Sequence, residues 1–217
     1  MNNADVKPRR YESRLRKAHA ADTRRRIVEA ALDAFIADGY RGATMQKIAR
    51  SAGVVVETIY RSFEGKSGLF KAAVEAAVAG GIERAERPVE ARPAIRAVME
   101  EKDPRRKLEL YLKTQPGINE RLAPLYRALG QAAAVDARAE QVLEDVEAQR
   151  LAGMQRFISD LAEVGGLREG MTLEDARDTL WTVTSHDVYR LLVIKSGWAL
   201  NDYERWLIEV LTRSFLP

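Results

Sequence analysis

The 217-residue chain contains no cysteine and only two histidines. Disulfides, thiolate nucleophiles and cysteine zinc sites are thereby excluded together. His19 and His186 lie far apart in sequence, so no histidine-based metal site is expected either. Long apolar runs are also missing. No stretch approaches the roughly 18 uninterrupted apolar residues of a membrane span, so no membrane partner is expected. The opening run MNNADVKPRRYESRLRKAHA lacks an apolar signal core, and a cytoplasmic location is the expectation. Paired glycines are few, and neither Gly80-Gly81 nor Gly165-Gly166 follows a strand, so neither reads as a phosphate loop. Ser185-His186-Asp187 has the residue types of a hydrolase triad. Consecutive residues on a helix do not face one another, however, so the run cannot chain a nucleophile to a base. No enzyme, cofactor or metal is expected.

What is there is helix and charge. With 46% hydrophobic and 31% charged residues the composition is that of a globular protein, long enough to bury a core. The net charge of +3 conceals an asymmetry. Residues 1–66 carry 14 Lys/Arg against 8 Asp/Glu, whereas residues 67–217 carry 21 against 24. A basic third of a chain suits a polyanion partner, although a solubilising tail would read the same way.

Nearly every segment has helical period, and no alternating runs are joined by hairpin residues. The expected fold class is all-α. Residues 1–20 read as a disordered basic arm, 21–67 as one domain and 68–217 as a helical body. From Asp22 to Asp38, Ile27, Ala30, Ala31, Ala34 and Phe35 share one face, and Gly39 ends the helix. Thr44 is the expected N-cap of a short helix whose inner face holds Met45, Ile48, Ala49 and Ala52. Gly53 stops that helix, and another follows at 56–62. A fourth begins near Lys66 and is expected to run into the eighties. In the body, Asp103-Pro104 opens a helix, Gln115-Pro116-Gly117 reads as a turn, and helices are expected near 118–134 and 136–164. Capping boxes at Thr172-x-x-Asp175 and Asn201-x-x-Glu204 mark the last two.

Residues 44–63 thus have a helix-turn-helix layout. Ile48, Ala49, Val54, Ile59 and Phe63 would pack on the Ile27/Ala31/Phe35 face. The outer side of the second short helix is then free to enter a DNA major groove about 12 Å wide. Thr58, Tyr60 and Arg61 are its polar groups. Lys66 stands near the next helix N-terminus, where backbone N–H groups favour phosphate.

The run TRRRIVEAALDAFIADGYRGATMQKIARSAGVVVETIYRSFEGKSGLF, residues 23–70, resembles the DNA-binding domain of the TetR family of bacterial transcriptional repressors. The marks are Ala30-Ala31-x3-Phe35, Gly39-Tyr40, Thr44 before Lys47-Ile48-Ala49, Ala52-Gly53-Val54, and Thr58-Ile59-Tyr60-x-x-Phe63-x-x-Lys66. The resemblance implies an N-terminal three-helix DNA-binding domain joined to a C-terminal helical domain for ligand binding and dimerisation. It implies that Thr44, Tyr60 and Lys66 hold phosphates and that Val55, Val56, Glu57, Thr58 and Arg61 meet base edges. The sequence departs from the family pattern at Val55, Val56 and Glu57, and again at Ser62 and Gly65, which leaves fewer phosphate anchors. The basic arm, with Arg24–Arg26, could offset that loss. In a groove the valine methyls suit thymine methyls, and Glu57 can accept from cytosine N4. Val55 stands where a capping Ser is common, at a cost of about 1 kcal/mol.

In the body, Leu180, Val183, Thr184, Val188, Leu191 and Leu192 form one stripe, and Trp206, Leu207, Val210, Leu211 and Phe215 another. Val188, Leu191, Leu192, Trp206, Val210 and Leu211 are the expected homodimer contacts, as an isologous four-helix interface; packing within one chain is the alternative. The family resemblance further implies a small-molecule effector whose binding releases a palindromic operator. Tyr111, Leu122, Tyr126, Met154, Phe157 and Trp181, with Leu112 and Ile158, are the candidate lining. Arg127 and His186 are candidate polar anchors, and the set suits an apolar or aromatic compound. A constitutive or accessory DNA-binding protein, whose body only dimerises or meets a protein partner, is the competing expectation.

Overall fold

The computed structural model describes the backbone of residues 7–217 and the side chains from Ala18 onward. Among the described residues there is helix and no strand. The chain divides into two compact units, the first ending at Ala73 and the second spanning Val74–Pro217.

In the first unit, α1 (Lys7–Gly42) begins well before the expected start. Residues 1–20, expected from their composition to be a disordered arm, are helical from Lys7 on; residues 1–6 lie outside the described residues. The reason is local. Residues 9–20 are mostly Arg, Lys, Ala, Leu and Glu, all good helix formers with no glycine among them. Pro8 falls in the first turn, where its missing N–H costs nothing. The helix breaks at Gly39 (φ 73, ψ 170) and closes with one short turn. Thr44 then caps α2 (Met45–Ala52), its Oγ1 accepting from the Lys47 N–H at 3.2 Å. Gly53 ends α2 in the left-handed region (φ 65, ψ 40), a conformation that costs an L-residue about 1 kcal/mol or more. The Gly53 N–H donates to the Arg50 carbonyl and the Val54 N–H to the Ala49 carbonyl, which satisfies the end of the helix.

Val55 is the N-cap of α3 (Val56–Phe63) and offers no side-chain hydrogen bond. After Glu64 and Gly65 the chain enters α4 (Lys66–Ala79), which stops short of the expected eighties. A Cβ on Gly68 would stand 1.8 Å from the Phe63 carbonyl oxygen, so only glycine lets the first turn of α4 approach the end of α3. Ile27, Phe35, Ile48, Ile59 and Leu69 are fully buried. Phe35, Tyr40 and Phe70 stack or meet edge-on with centroids 4.9–5.7 Å apart.

The second unit continues with α5 (Ile82–Ala85), α6 (Pro93–Glu100), α7 (Pro104–Leu112), α8 (Gln115–Ala133), α9 (Ala137–Glu163), α10 (Leu173–Val183), α11 (His186–Tyr189) and α12 (Leu200–Phe215); a π-helical turn, Arg190–Lys195, follows α11. Asp103 and Thr172 cap α7 and α10 as their sequences suggested. Two expectations fail. Gln115-Pro116-Gly117 is the start of α8, because proline in a first turn fits a helix as well as a bend. The Asn201 capping box is absent: α12 starts two residues earlier, on an Ala199 N-cap without a side-chain bond.

One apolar cluster joins Val98, Leu108, Leu112, Met154, Ile158 and Leu180 with the α12 residues Leu211 and Phe215. A smaller one is built on Tyr189, Tyr203 and Leu207. The fully buried Lys107 ammonium lies 2.5 Å from Asp160 Oδ2, tying α7 to α9. Asn119 Nδ2 donates to the Thr184 carbonyl (3.2 Å) and to the Tyr203 hydroxyl (3.4 Å).

Candidate nucleic-acid interface

The amphipathic pattern of α3 fixes its orientation. Ile59 and Phe63, four residues apart, are buried. The opposite side of the helix therefore carries Glu57 and Arg61, also four residues apart and both exposed. Val55 is 64% exposed and Tyr60 54%. Val56 and Thr58 are half-buried, so these two expected base-facing residues are partly withdrawn from the surface. Thr44 is exposed although its hydroxyl already serves the cap. Lys66 Nζ donates to the Arg41 carbonyl at 3.3 Å and lies 4.9 Å from the centre of the Tyr40 ring.

The basic run Arg24–Arg26 behaves differently from a free arm. Arg26 donates to the Ala52 carbonyl at the end of α2 (2.7 Å). Arg24 donates to the Ser62 carbonyl near the end of α3 (3.1 Å) and covers the Phe63 ring at 4.3 Å. Both cations sit against the negative ends of helix dipoles and lock the helix pair to α1. Arg25 pairs with Asp22 at 2.6 Å, and that hydrogen bond holds the Asp22 carboxyl below its usual range. The sequence counted these arginines as charge; their clamping role depends on chain segments 26 and 38 residues away. Lys47 is paired with Asp38 at 2.5 Å.

In the second unit the candidate lining residues are mostly packed together. Tyr111 stacks on Phe157 at 3.8 Å, and Met154 and Trp181 belong to the same apolar cluster. Leu122 is buried. Tyr126 stands apart: it borders a cleft of about 470 Å³ lined by Glu120, Arg127, His186, Asp187, Arg190 and other residues. Its ring stacks on His186 at 4.0 Å. The cleft thus unites the two candidate polar anchors, Arg127 and His186, with one of the eight candidate lining residues, Tyr126. Beside it, Glu147 Oε2 accepts from Trp181 Nε1 at 3.0 Å and lies 3.3 Å from Arg150. Glu147 Oε1 and His186 Nδ1 face one another at 3.8 Å, and neither has a hydrogen-bond partner. Sequence reasoning missed Glu147 and Arg150, whose spacing resembles any solvated helix face.

Of the expected dimer contacts, Leu191 is 51% exposed and Val188, Leu192, Trp206 and Val210 are half-buried. Leu211 is fully buried in the chain's own core and is removed from that set. The first stripe is not one helix either. Thr184 turns the chain between α10 and α11, and its hydroxyl donates back to the Leu180 carbonyl.

Comparison with known proteins follows this division. The family model described as bacterial regulatory proteins, tetR family, matches residues 27–73. The HTH-type transcriptional regulator SrpR of Pseudomonas putida is 46% identical over 55 residues, covering 25% of this chain and 26% of that protein. The chain therefore spans about a quarter of that relative in alignment. Over nearly the whole length, the fold is similar to two solved structures. A TetR-family regulator from Rhodococcus sp. has a TM-score of 0.66 at 18% identity, covering 89% of this chain and 98% of that one. The transcriptional regulator FadR from Bacillus subtilis, in complex with stearoyl-CoA, has a TM-score of 0.65 at 20% identity, covering 86% and 96%. With α1–α3 arranged around a left-handed Gly53, residues 27–73 carry the DNA-binding segment of bacterial regulatory proteins of the tetR family, and the described helices as a whole have the fold of TetR-family regulators.

Proposed function

We propose that this chain is a ligand-responsive transcriptional repressor that binds a palindromic DNA operator as a homodimer and is released by a small apolar or aromatic effector. The observation that carries the DNA-binding part is α3: its inner residues are locked down, and the side bearing Glu57 and Arg61 is open to solvent. Thr44, Tyr60 and Lys66 are proposed phosphate contacts, and Val55, Val56, Glu57, Thr58 and Arg61 are proposed base contacts. Homodimerisation is supported by apolar side chains left exposed near the C-terminal helices, Leu191 at 51% and Ile194 at 57%. Val188, Leu192, Trp206 and Val210 complete the proposed interface. The stearoyl-CoA bound to the FadR structure of similar fold supports an apolar effector class.

One observation favours the constitutive alternative. Tyr111, Met154, Phe157 and Trp181, the bulk of the expected pocket lining, pack on one another or on the adjacent core. A thermal-shift screen with acyl-CoA and aromatic compounds separates the two readings: a specific compound that raises the melting temperature and weakens DNA binding supports the repressor, whereas none doing so supports the alternative.

For the dimer, Leu191→Glu is expected to sediment as a monomer and to lose affinity for a palindrome by tenfold or more. A variant that remains dimeric in analytical ultracentrifugation counts against this interface.

A further inference from the structure

The charged side chains of the first unit are engaged to different degrees. Arg24, Arg25, Arg26, Lys47 and Lys66 are all engaged with carboxylates, carbonyls or rings. Glu57 and Arg61 make no hydrogen bond or ion pair with any described residue. This is notable because a Glu four residues before an Arg is the favoured arrangement for a helix-surface ion pair, worth about 0.2–0.5 kcal/mol. The two exposed side chains instead stand apart on the side of α3 opposite Ile59 and Phe63.

Their chemistry is complementary to one kind of base pair. An ionised carboxylate is acceptor-only and is repelled by phosphates, so Glu57 gains nothing from the DNA backbone. In a major groove its fitting partner is the cytosine N4 amino group, since adenine places an acceptor, N7, beside its amino group. Arg61 carries the fork that fits guanine O6 and N7. Four helical residues span about 6 Å, close to two base-pair steps of about 3.4 Å each.

We propose that α3 reads a cytosine through Glu57 and a guanine through Arg61, at positions two base pairs apart in each half-site. The proposal rests on the reading of α3 as the DNA-recognition helix, and it adds the identity and spacing of two of the bases read. Glu57 has a second effect: its charge lowers affinity for DNA of arbitrary sequence, so it sharpens specificity by rejection as well as by contact.

The test is a selection from randomised duplex DNA by the full chain, in parallel with Glu57→Gln and Arg61→Ala. Both positions are at the surface, and circular dichroism verifies that the variants fold. The wild type is expected to enrich half-sites with C and G two base pairs apart. Glu57→Gln should replace the C preference with A, the base glutamine fits, and should bind random duplex more tightly. Arg61→Ala should lose the G preference alone. Competition with singly substituted duplexes should give about tenfold or greater discrimination at each position in the wild type. Enriched sites whose preferences do not move in either variant would overturn the base assignment while leaving DNA recognition intact. Failure of the wild type to enrich any sequence would overturn both.

Discussion

The two units are built around different kinds of interior. Every fully buried side chain described in the first unit is apolar or aromatic, from Ile27 to Phe70. The second unit buries Lys107, Gln115, Asn119, Thr184 and Thr212. Its polar groups are partnered across long sequence distances, as in the 65-residue step from Asn119 to Thr184. An apolar core tolerates approximate matching of shape and volume. A polar one demands that each donor find its acceptor, and it leaves Glu147 Oε1, His186 Nδ1 and Thr212 Oγ1 without one. The first unit is therefore specified by pattern, and the second by individual pairs.

The sharpest way to break this comparison is to strand one member of a pair. Asp160→Ala leaves the Lys107 ammonium buried without its carboxylate, and a loss of about 3–5 kcal/mol in denaturant unfolding is expected. Lys107→Met, which removes the charge and keeps the bulk, should cost far less. Equal losses in the two variants would make the site ordinary packing. In the first unit the sensitive elements are caps. Thr44→Ala is expected to cost about 1 kcal/mol by the same measurement, through loss of the bond to the Lys47 N–H.

The smallest effect concerns protons. Burial pushes His186 below its ordinary value, an effect that Asp187 and Glu147 oppose. The unfolded chain then binds a proton at this residue before the folded one does. Stability from this group is full above the unfolded value of about 6.5 and declines as pH falls through it. A His186→Gln variant should show a shallower decline between about pH 7 and 5, with His19 the only histidine left. An unchanged slope would assign the decline to other groups.

Legibility followed the same division. Thr44, Gly53 and Val55 act within four residues of themselves, so their roles as cap, left-handed stop and missing cap were readable from the sequence and stand in the structure. The start of α1 is not legible from charge, because a basic composition suggests disorder while the same residues are good helix formers. Proline and glycine misled at Gln115-Pro116-Gly117 for a comparable reason: a first helical turn accepts both. Leu211 was assigned outward when a neighbouring position on α12 decides which face is covered. The Lys107–Asp160 pair and the clamps of Arg24 and Arg26 left no local trace at all. Periodicity reports a face, and these contacts join faces that are distant in the chain.

The placement of indole rings has an experimental corollary. The three tryptophans are Trp181, Trp198 and Trp206, all in the second unit. Trp181 is held by the Glu147 carboxylate, and the half-buried Trp198 and Trp206 meet edge-on at 6.3 Å. Intrinsic tryptophan emission therefore observes the body directly and has no fluorophore of its own in the helix-turn-helix. Melting of the first unit must be followed by helical ellipticity or by an added label. Self-association, in contrast, comes with a built-in optical probe, because two of the three indoles flank the proposed partner surface.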